Sequence, residues 1–294
     1  MIKKSAMKFF SKSMGCLLFL SSPFCSVSKA MEPEQKEEKS SSVVKIVALG
    51  TCGLVLGGYI TYRLFNGNSD SSETKLKLGY NAARTRLFGK EVGLLKKYVK
   101  IVNRSVVDEE FLNEIGNQGK TVVVNAANTY GVKGLGVCKA VFDAMGIDSV
   151  PEINDWKSKG NHEIGDGNVF IHHSYGIAKK CKNADYVMQT VGPDFRNYLD
   201  EKVAYEKLYN AYYNTVKVSA EKDIKNIVVP AISTGIFAVP GVGTRGSIIA
   251  LSAIHDALSE LPESKRQGMN VYLCEFKSSG ETKKFFEGCS KVLK

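Results

Sequence analysis

The chain has 294 residues, 44% hydrophobic and 24% charged, which excludes a disordered or collagen-like protein and allows one or two domains with a buried core. Its formal net charge of +10 favours polyanionic partners such as nucleic acid, anionic lipid or a phosphorylated ligand, although scattered lysines read first as a solvated face. The seven cysteines form no Cys-x-x-Cys pair and no histidine cluster has zinc spacing, so no metal centre and no cofactor is expected.

Residues 1–30 read as a secretory signal: Lys3, Lys4, Lys8 and Lys12 precede the short apolar stretch CLLFLSSPFC, and small residues end at Ala30. An uncleaved interfacial segment is the alternative. Residues 31–42 are a polar spacer. Residues 43–65, VVKIVALGTCGLVLGGYITYRLF, are interrupted only by Lys45 and end at Tyr59, Tyr62 and Arg63. Their length and interfacial border predict a transmembrane helix. A buried soluble helix is the competing reading, and Gly50, Gly53, Gly57 and Gly58 argue against it. Arg63, Lys75, Lys77, Arg84 and Arg86 follow the span, so the positive-inside rule leaves the C-terminal part cytoplasmic in a single-pass membrane protein. Residues 66–97 are a basic linker, whose stretch from Leu76 to Lys97 either lies on an anionic membrane surface or forms the first helix of the domain.

The domain is expected over residues 98–294. Strands are predicted at YVKIV, TVVVNA, NVFIHHS, YVMQTVG, NIVVPAI and VYLCEF. Helices are predicted at DEEFLNEIG, CKAVFDAMG, EKVAYEKLYNAYYNTVKVSAEK, TRGSIIALSAIHDALSEL and ETKKFFEGCSKVL. This alternation predicts one α/β layer structure with a largely buried sheet. Cys138, Cys181, Cys274 and Cys289 are read as reduced, mostly buried residues.

The most informative stretch is VVVNAANTYGVKGLGV, Val122 to Val137. An apolar strand runs into Asn125-Ala-Ala-Asn128, then a glycine-bearing loop, then a helix. Ligands sit beyond strand carboxyl ends in such sheets, and glycines bring main-chain N–H groups close to phosphate at a helix N-terminus. A second segment, VVPAISTGIFAVPG, breaks at a Ser-Thr-Gly turn, so main-chain N–H groups from Ser233 to Phe237 form a second anion cradle. Lys133 is placed to neutralise phosphate or simply to be solvated. Asn125 reads first as a structural strand-end asparagine. His172 and His173 alternate along a strand and face opposite sides. Tyr205, Tyr209, Tyr212 and Tyr213 have helical spacing and read as packing.

Together these segments resemble the macrodomain family, the ADP-ribose-binding modules, over residues 99–294. The likeness rests on VVVNAAN, Gly134-Leu-Gly-Val137, the helix from Ala140 to Gly146, Tyr186 to Pro193, and PAISTGIF. It implies a three-layer α/β/α fold with a mixed sheet of about six strands. It also implies ADP-ribose lying across the strand ends. Asn128, with Asn125 nearby, would meet the distal ribose. The main chain of Gly134, Gly136 and Val137 and the loop of Ser233, Thr234, Gly235, Ile236 and Phe237 would hold the diphosphate. Phe276 would stack on adenine. Ser105 stands where many members carry an acidic residue for the adenine amino group, with Asp108 as a substitute if that turn is displaced.

Other departures bear on activity. Leu135 interrupts the glycine run and threatens close approach to the diphosphate. Cys138 stands where many family hydrolases have a loop aspartate. Ala238 replaces the last glycine of the Gly-Ile-Phe-Gly turn and is expected to strain a left-handed backbone. The leading expectation is a membrane-anchored macrodomain that binds ADP-ribose or an ADP-ribosylated protein. One alternative is a mono-ADP-ribosyl hydrolase acting on protein side chains, with Asn128 and Phe237 as its catalytic positions and Gly136 helping to place the ribose. Another is a nucleic-acid module that binds poly(A) through its basic surface.

Overall fold

Runs of valine and isoleucine that read as buried strands pair into one six-stranded sheet. The computed structural model describes residues 92–294. The signal segment, the spacer, the membrane helix and the linker up to residue 91 lie outside the described residues. Among the described residues no helix is long and apolar enough to cross a membrane.

Helix α1 (Val92–Tyr98) leads into β1 (Val99–Val102), α2 (Glu109–Gly116), β2 (Thr121–Ala127), α3 (Val137–Met145) and α4 (Pro151–Ser158). Then come β3 (Val169–His173), α5 (Gly176–Lys180), β4 (Tyr186–Val191) and a short turn of helix at Phe195–Asn197. The chain ends with α6 (Glu201–Glu221), β5 (Asn226–Val229), α7 (Val242–Glu260), α8 (Glu263–Arg266), β6 (Asn270–Cys274) and α9 (Gly280–Leu293). All six predicted strands and all five predicted helices are present. The short helices α4, α5 and α8 carry no readable apolar period; α4 buries only Ile153.

The strand order is β1-β6-β5-β2-β4-β3. Every pairing is parallel except that of β3 with β4. The carboxyl ends of five strands therefore share one edge, and the start of β3 joins them, with Gly167 N donating to Val191 O at 2.7 Å. Period-two alternation splits the core in two. Val122 and Val124 face Leu208, Tyr212, Ile254 and Phe285 from the layer of α1, α6, α7 and α9. Val123 and Ala127 face Phe111, Val141, Phe142 and Met145 from the layer of α2 to α5. These are the three layers expected. Each fully buried side chain such as Phe142 contributes about 1.5–3 kcal/mol relative to exposure.

Helix ends are fixed locally. Asp108 caps α2 by accepting from Phe111 N at 3.0 Å, and Asp200 caps α6 by accepting from Lys202 N at 2.9 Å. Gly146, at φ 72°, closes α3 in the left-handed conformation that glycine adopts without a Cβ penalty.

Candidate functional site

The β2–α3 loop is organised by Asn128. Its Oδ1 accepts from Tyr130 N at 3.1 Å and Val132 N at 3.4 Å, and its Nδ2 donates to Val132 O at 2.8 Å. One Nδ2 proton is left for a ligand. The loop ends at Gly136, whose φ of 60° and ψ of −129° suit glycine. No side chain caps α3, so the first N–H groups of that helix remain available to an anion. A Cβ built on Gly136 or on Gly235 meets no heavy atom within 4 Å, so both bends are open. Leu135 is 70% exposed, so its isobutyl group is not packed into the protein.

The loop after β5 is braced from below. Tyr212 of α6 is buried; its hydroxyl donates to Pro230 O at 3.3 Å and accepts from Ile232 N at 2.8 Å. Ser233 then adopts φ 61°, a left-handed conformation costly for a residue with a Cβ, and its buried Oγ has no partner. Both features are strain held at a candidate site. Ala238, where left-handed strain was expected, does not have a positive φ; Ser233 and Gly241 take that role. Thr234 turns its hydroxyl away, donating to Ala231 O at 2.9 Å and meeting Thr282 Oγ1 at 2.9 Å. Only its main chain is left for a ligand. Gly235 and Ile236 are exposed, and Phe237 is half-buried.

Phe237 lies under a charged pair that the sequence reading missed. Arg196 Cζ sits 5.7 Å from its ring centroid, while Arg196 Nε and Nη2 bond Asp194 at 2.8 Å and 2.6 Å. This fork holds the Asp194 carboxyl below its ordinary range. Phe195 N donates to Phe237 O at 3.0 Å and ties the β4 and β5 loops together.

At the β1 and β6 end, Phe276 is exposed and Lys277 Nζ stands 5.1 Å from its ring centroid. Ser105 is half-buried, with Oγ accepting from Val107 N at 3.4 Å. Asp108 is engaged within its own turn: its carboxylate caps α2 and meets Arg104 at 3.4 Å.

Two further expectations are corrected. Lys133 is not free for phosphate: its ammonium meets Asp148 at 2.7 Å and Asp143 at 2.9 Å, which push its pKa up. Asn125 is not at the ligand surface. It is wholly buried, on the β2 face that carries Val123 and Ala127, and its Nδ2 donates to Gln189 Oε1 at 2.6 Å and to Cys138 Sγ at 3.4 Å. This agrees with its structural reading.

Gln189 continues the buried chain, because Gln189 Nε2 lies 2.8 Å from His172 Nε2. His172 Nδ1 lies 2.7 Å from His173 O, and a carbonyl only accepts, so Nδ1 carries the proton and Nε2 accepts from Gln189. Burial lowers the His172 pKa to about 4, so the ring is neutral near pH 7 and engaged at both nitrogens. His173 faces solvent, as alternation requires. Burial raises the Cys138 thiol, which Asn125 and the Gly134 main chain only partly offset. The thiol is therefore protonated and suited to packing rather than to nucleophilic attack.

Eight large apolar residues are exposed among the described residues, and all follow the carboxyl ends of β2, β4, β5 or β6; Tyr130, Leu135, Leu199, Ile236 and Phe276 are among them. Charge is not concentrated in the domain. The described residues carry 26 lysines and arginines against 23 acidic residues, so most of the +10 excess lies upstream of residue 92.

A parallel-dominated α/β/α module with its loops, open glycines and exposed aromatics on the strand carboxyl edge defines a ligand-binding class of domain. The Macro domain family profile matches residues 124–243. An uncharacterized protein of Fusobacterium nucleatum is 35% identical over 145 residues, spanning 48% of this chain and 73% of that protein. A Macro domain-containing protein of Caldanaerobacter subterraneus is 28% identical over 166 residues, spanning 56% of this chain and 83% of that protein. A glycine-to-valine mutant of the Oceanobacillus iheyensis macrodomain, solved with ADPR, has the same fold, with a TM-score of 0.50 and 23% identity over 66% of this chain and 93% of that one. The chain belongs to the Macro domain family.

Proposed function

We propose that this macrodomain binds ADP-ribose, free or attached to a protein, across the carboxyl edge of its sheet. The observation that carries this reading is the pair of open main-chain bends. Gly136 exposes the N-terminus of α3, and the turn through Gly235 has nothing against it. Main-chain N–H groups at two such bends suit a diphosphate. Asn128 offers an amide N–H to the distal ribose, and Phe237 and Phe276 offer rings to ribose and adenine. The ADPR carried by the Oceanobacillus iheyensis structure supports the same ligand. The exposed Tyr130 and Leu199 favour a ligand borne on a polypeptide, because a free nucleotide sugar has little apolar surface to cover them. Calorimetric titration of the full-length protein with ADP-ribose tests this reading. A saturable heat is expected, and no heat together with no melting shift contradicts it.

Turnover is the weaker reading. Cys138 is a buried, protonated thiol, and His172 is neutral with both ring nitrogens engaged. Neither is fitted to activate water. The nucleic-acid reading loses its main support, because the described residues are nearly balanced in charge.

We also propose that residues 43–65 anchor the module to a membrane with the domain on the cytoplasmic side. The apolar run and the positive charges after it support this. Alkaline carbonate extraction is expected to leave the protein in the membrane pellet, and release into the supernatant contradicts it.

A further inference from the structure

We propose that Cys138 is a positioning residue that holds the Asn128 carboxamide in the orientation that meets the distal ribose. The inference rests on the ADP-ribose reading of the site and adds to it a residue that touches no ligand.

The two side chains meet at one acceptor. Val132 O accepts from Asn128 Nδ2 at 2.8 Å and from Cys138 Sγ at 3.6 Å. A carbonyl oxygen has two lone pairs, so this one is filled from both sides. Gly134 packs between the donors: a Cβ built there would sit 3.4 Å from Cys138 Sγ and 3.5 Å from Asn128 Nδ2. The thiol donates only while protonated, and burial keeps it so.

Cys138 is itself held from the sheet. Asn125 Nδ2 donates to its sulfur at 3.4 Å, and Asn125 is bonded to Gln189 at 2.6 Å. Gln189 is the register partner of Asn125 on β4, and it bonds His172 on the edge strand β3 at 2.8 Å. The chain therefore runs from the edge strand, under β4 and β2, to the sulfur, and through Val132 O to the ligand-facing amide. Most of its members are buried, where hydrogen bonds fix geometry more firmly than at a surface. A group placed this way changes how well Asn128 is preorganised.

ADP lacks the distal ribose, so a loss confined to ADP-ribose separates positioning from general damage to the fold. The test uses the full-length protein with Cys138→Ala and Cys138→Ser, each alone and with Asn128→Ala, titrated with ADP-ribose and with ADP. Cys138→Ala is expected to weaken ADP-ribose by about fivefold and to leave ADP within about twofold. Cys138→Ser, which keeps a donor toward Val132 O, is expected to retain most of the ADP-ribose affinity. In the Asn128→Ala background Cys138→Ala is expected to cost nothing more.

Unchanged ADP-ribose affinity in Cys138→Ala overturns the proposal. Equal loss of both ligands, or losses that add to those of Asn128→Ala, overturns it too. If the unsubstituted protein binds neither ligand, the ADP-ribose reading itself has failed, and the side-chain amide proton resonances of Asn128 decide the positioning role. They are expected to move in Cys138→Ala and to stay in Cys138→Ser; no movement in either variant rejects the role.

Discussion

Gly192 leaves the space that the Ser233 hydroxyl fills: a Cβ built on Gly192 would sit 2.3 Å from Ser233 Oγ and 2.3 Å from Ile232 Cγ2. The loop after β4 and the loop after β5 are thus pressed together at the carboxyl edge of the sheet. A methyl group at Gly192 has no room unless the Ile232 and Ser233 side chains shift. Gly192→Ala is expected to lower stability by about 1–3 kcal/mol, as overpacking does, and to weaken ADP-ribose binding. Urea unfolding and titration of the same preparation check both.

Ser233 is strained in two ways, by its φ of 61° and by a buried hydroxyl without a partner. Ser233→Gly removes both. It is expected to be neutral or stabilising by up to about 1 kcal/mol, against the usual destabilising effect of glycine. Ser233→Ala removes only the unpaired hydroxyl and keeps the backbone strain, so it is expected to fall below Ser233→Gly in thermal midpoint. The reverse order would contradict the strain.

Gly136 holds φ 60° with ψ −129° at the start of α3. Gly136→Ala has open space around its methyl group but the wrong backbone preference. The expected cost is about 1–3 kcal/mol in stability or in a displaced loop, with weaker ADP-ribose binding in either case. Melting curves with and without ligand distinguish the two outcomes.

The sheet was legible because its strands are runs of β-branched residues bounded by turns, as in Val122-Val-Val124 and Ile227-Val-Val229. Asn128, Gly136 and the Ser233–Phe237 turn were legible because glycine and asparagine mark backbone geometry directly. The chain from Asn125 to Gln189 to His172 was not, because it depends on which strands become neighbours. Asn125 and Gln189 are 64 residues apart in sequence and 2.6 Å apart in space. Alternation does put Val123, Asn125 and Ala127 on one face, which hints that Asn125 points inward. The Arg196–Phe237 contact had no signal, because it joins two loops after non-adjacent strands. Lys133 looked free for phosphate because Asp143 and Asp148 approach it only once α3 and the loop after it have formed.

His172 makes stability fall with acid. Its folded pKa is lowered from 6.5 to about 4 by burial, so protons bind the unfolded chain first. The neutral ring costs nothing above pH 6.5; stability is lost as pH falls from there toward about 4, by about 3 kcal/mol in total. Urea unfolding between pH 7 and pH 4 is expected to show this acid limb, and His172→Gln to flatten it. An acid limb unchanged in that variant assigns the loss to other groups.

Turnover is expected to be at least about tenfold slower than in an active macrodomain hydrolase, because neither Cys138 nor His172 is placed to activate water. Release of label from a glutamate-ADP-ribosylated protein measures it, with the active enzyme as control. Release at the control rate contradicts this expectation and makes turnover the better reading.

The most direct measurement is calorimetric titration of ADP-ribose into the full-length protein and into its Asn128→Ala variant. Saturable binding at one site below about 1 mM, weakened in the variant, is expected. Absence of any heat or melting shift up to about 1 mM ligand would contradict a diphosphate cradle between the bends at Gly136 and Gly235.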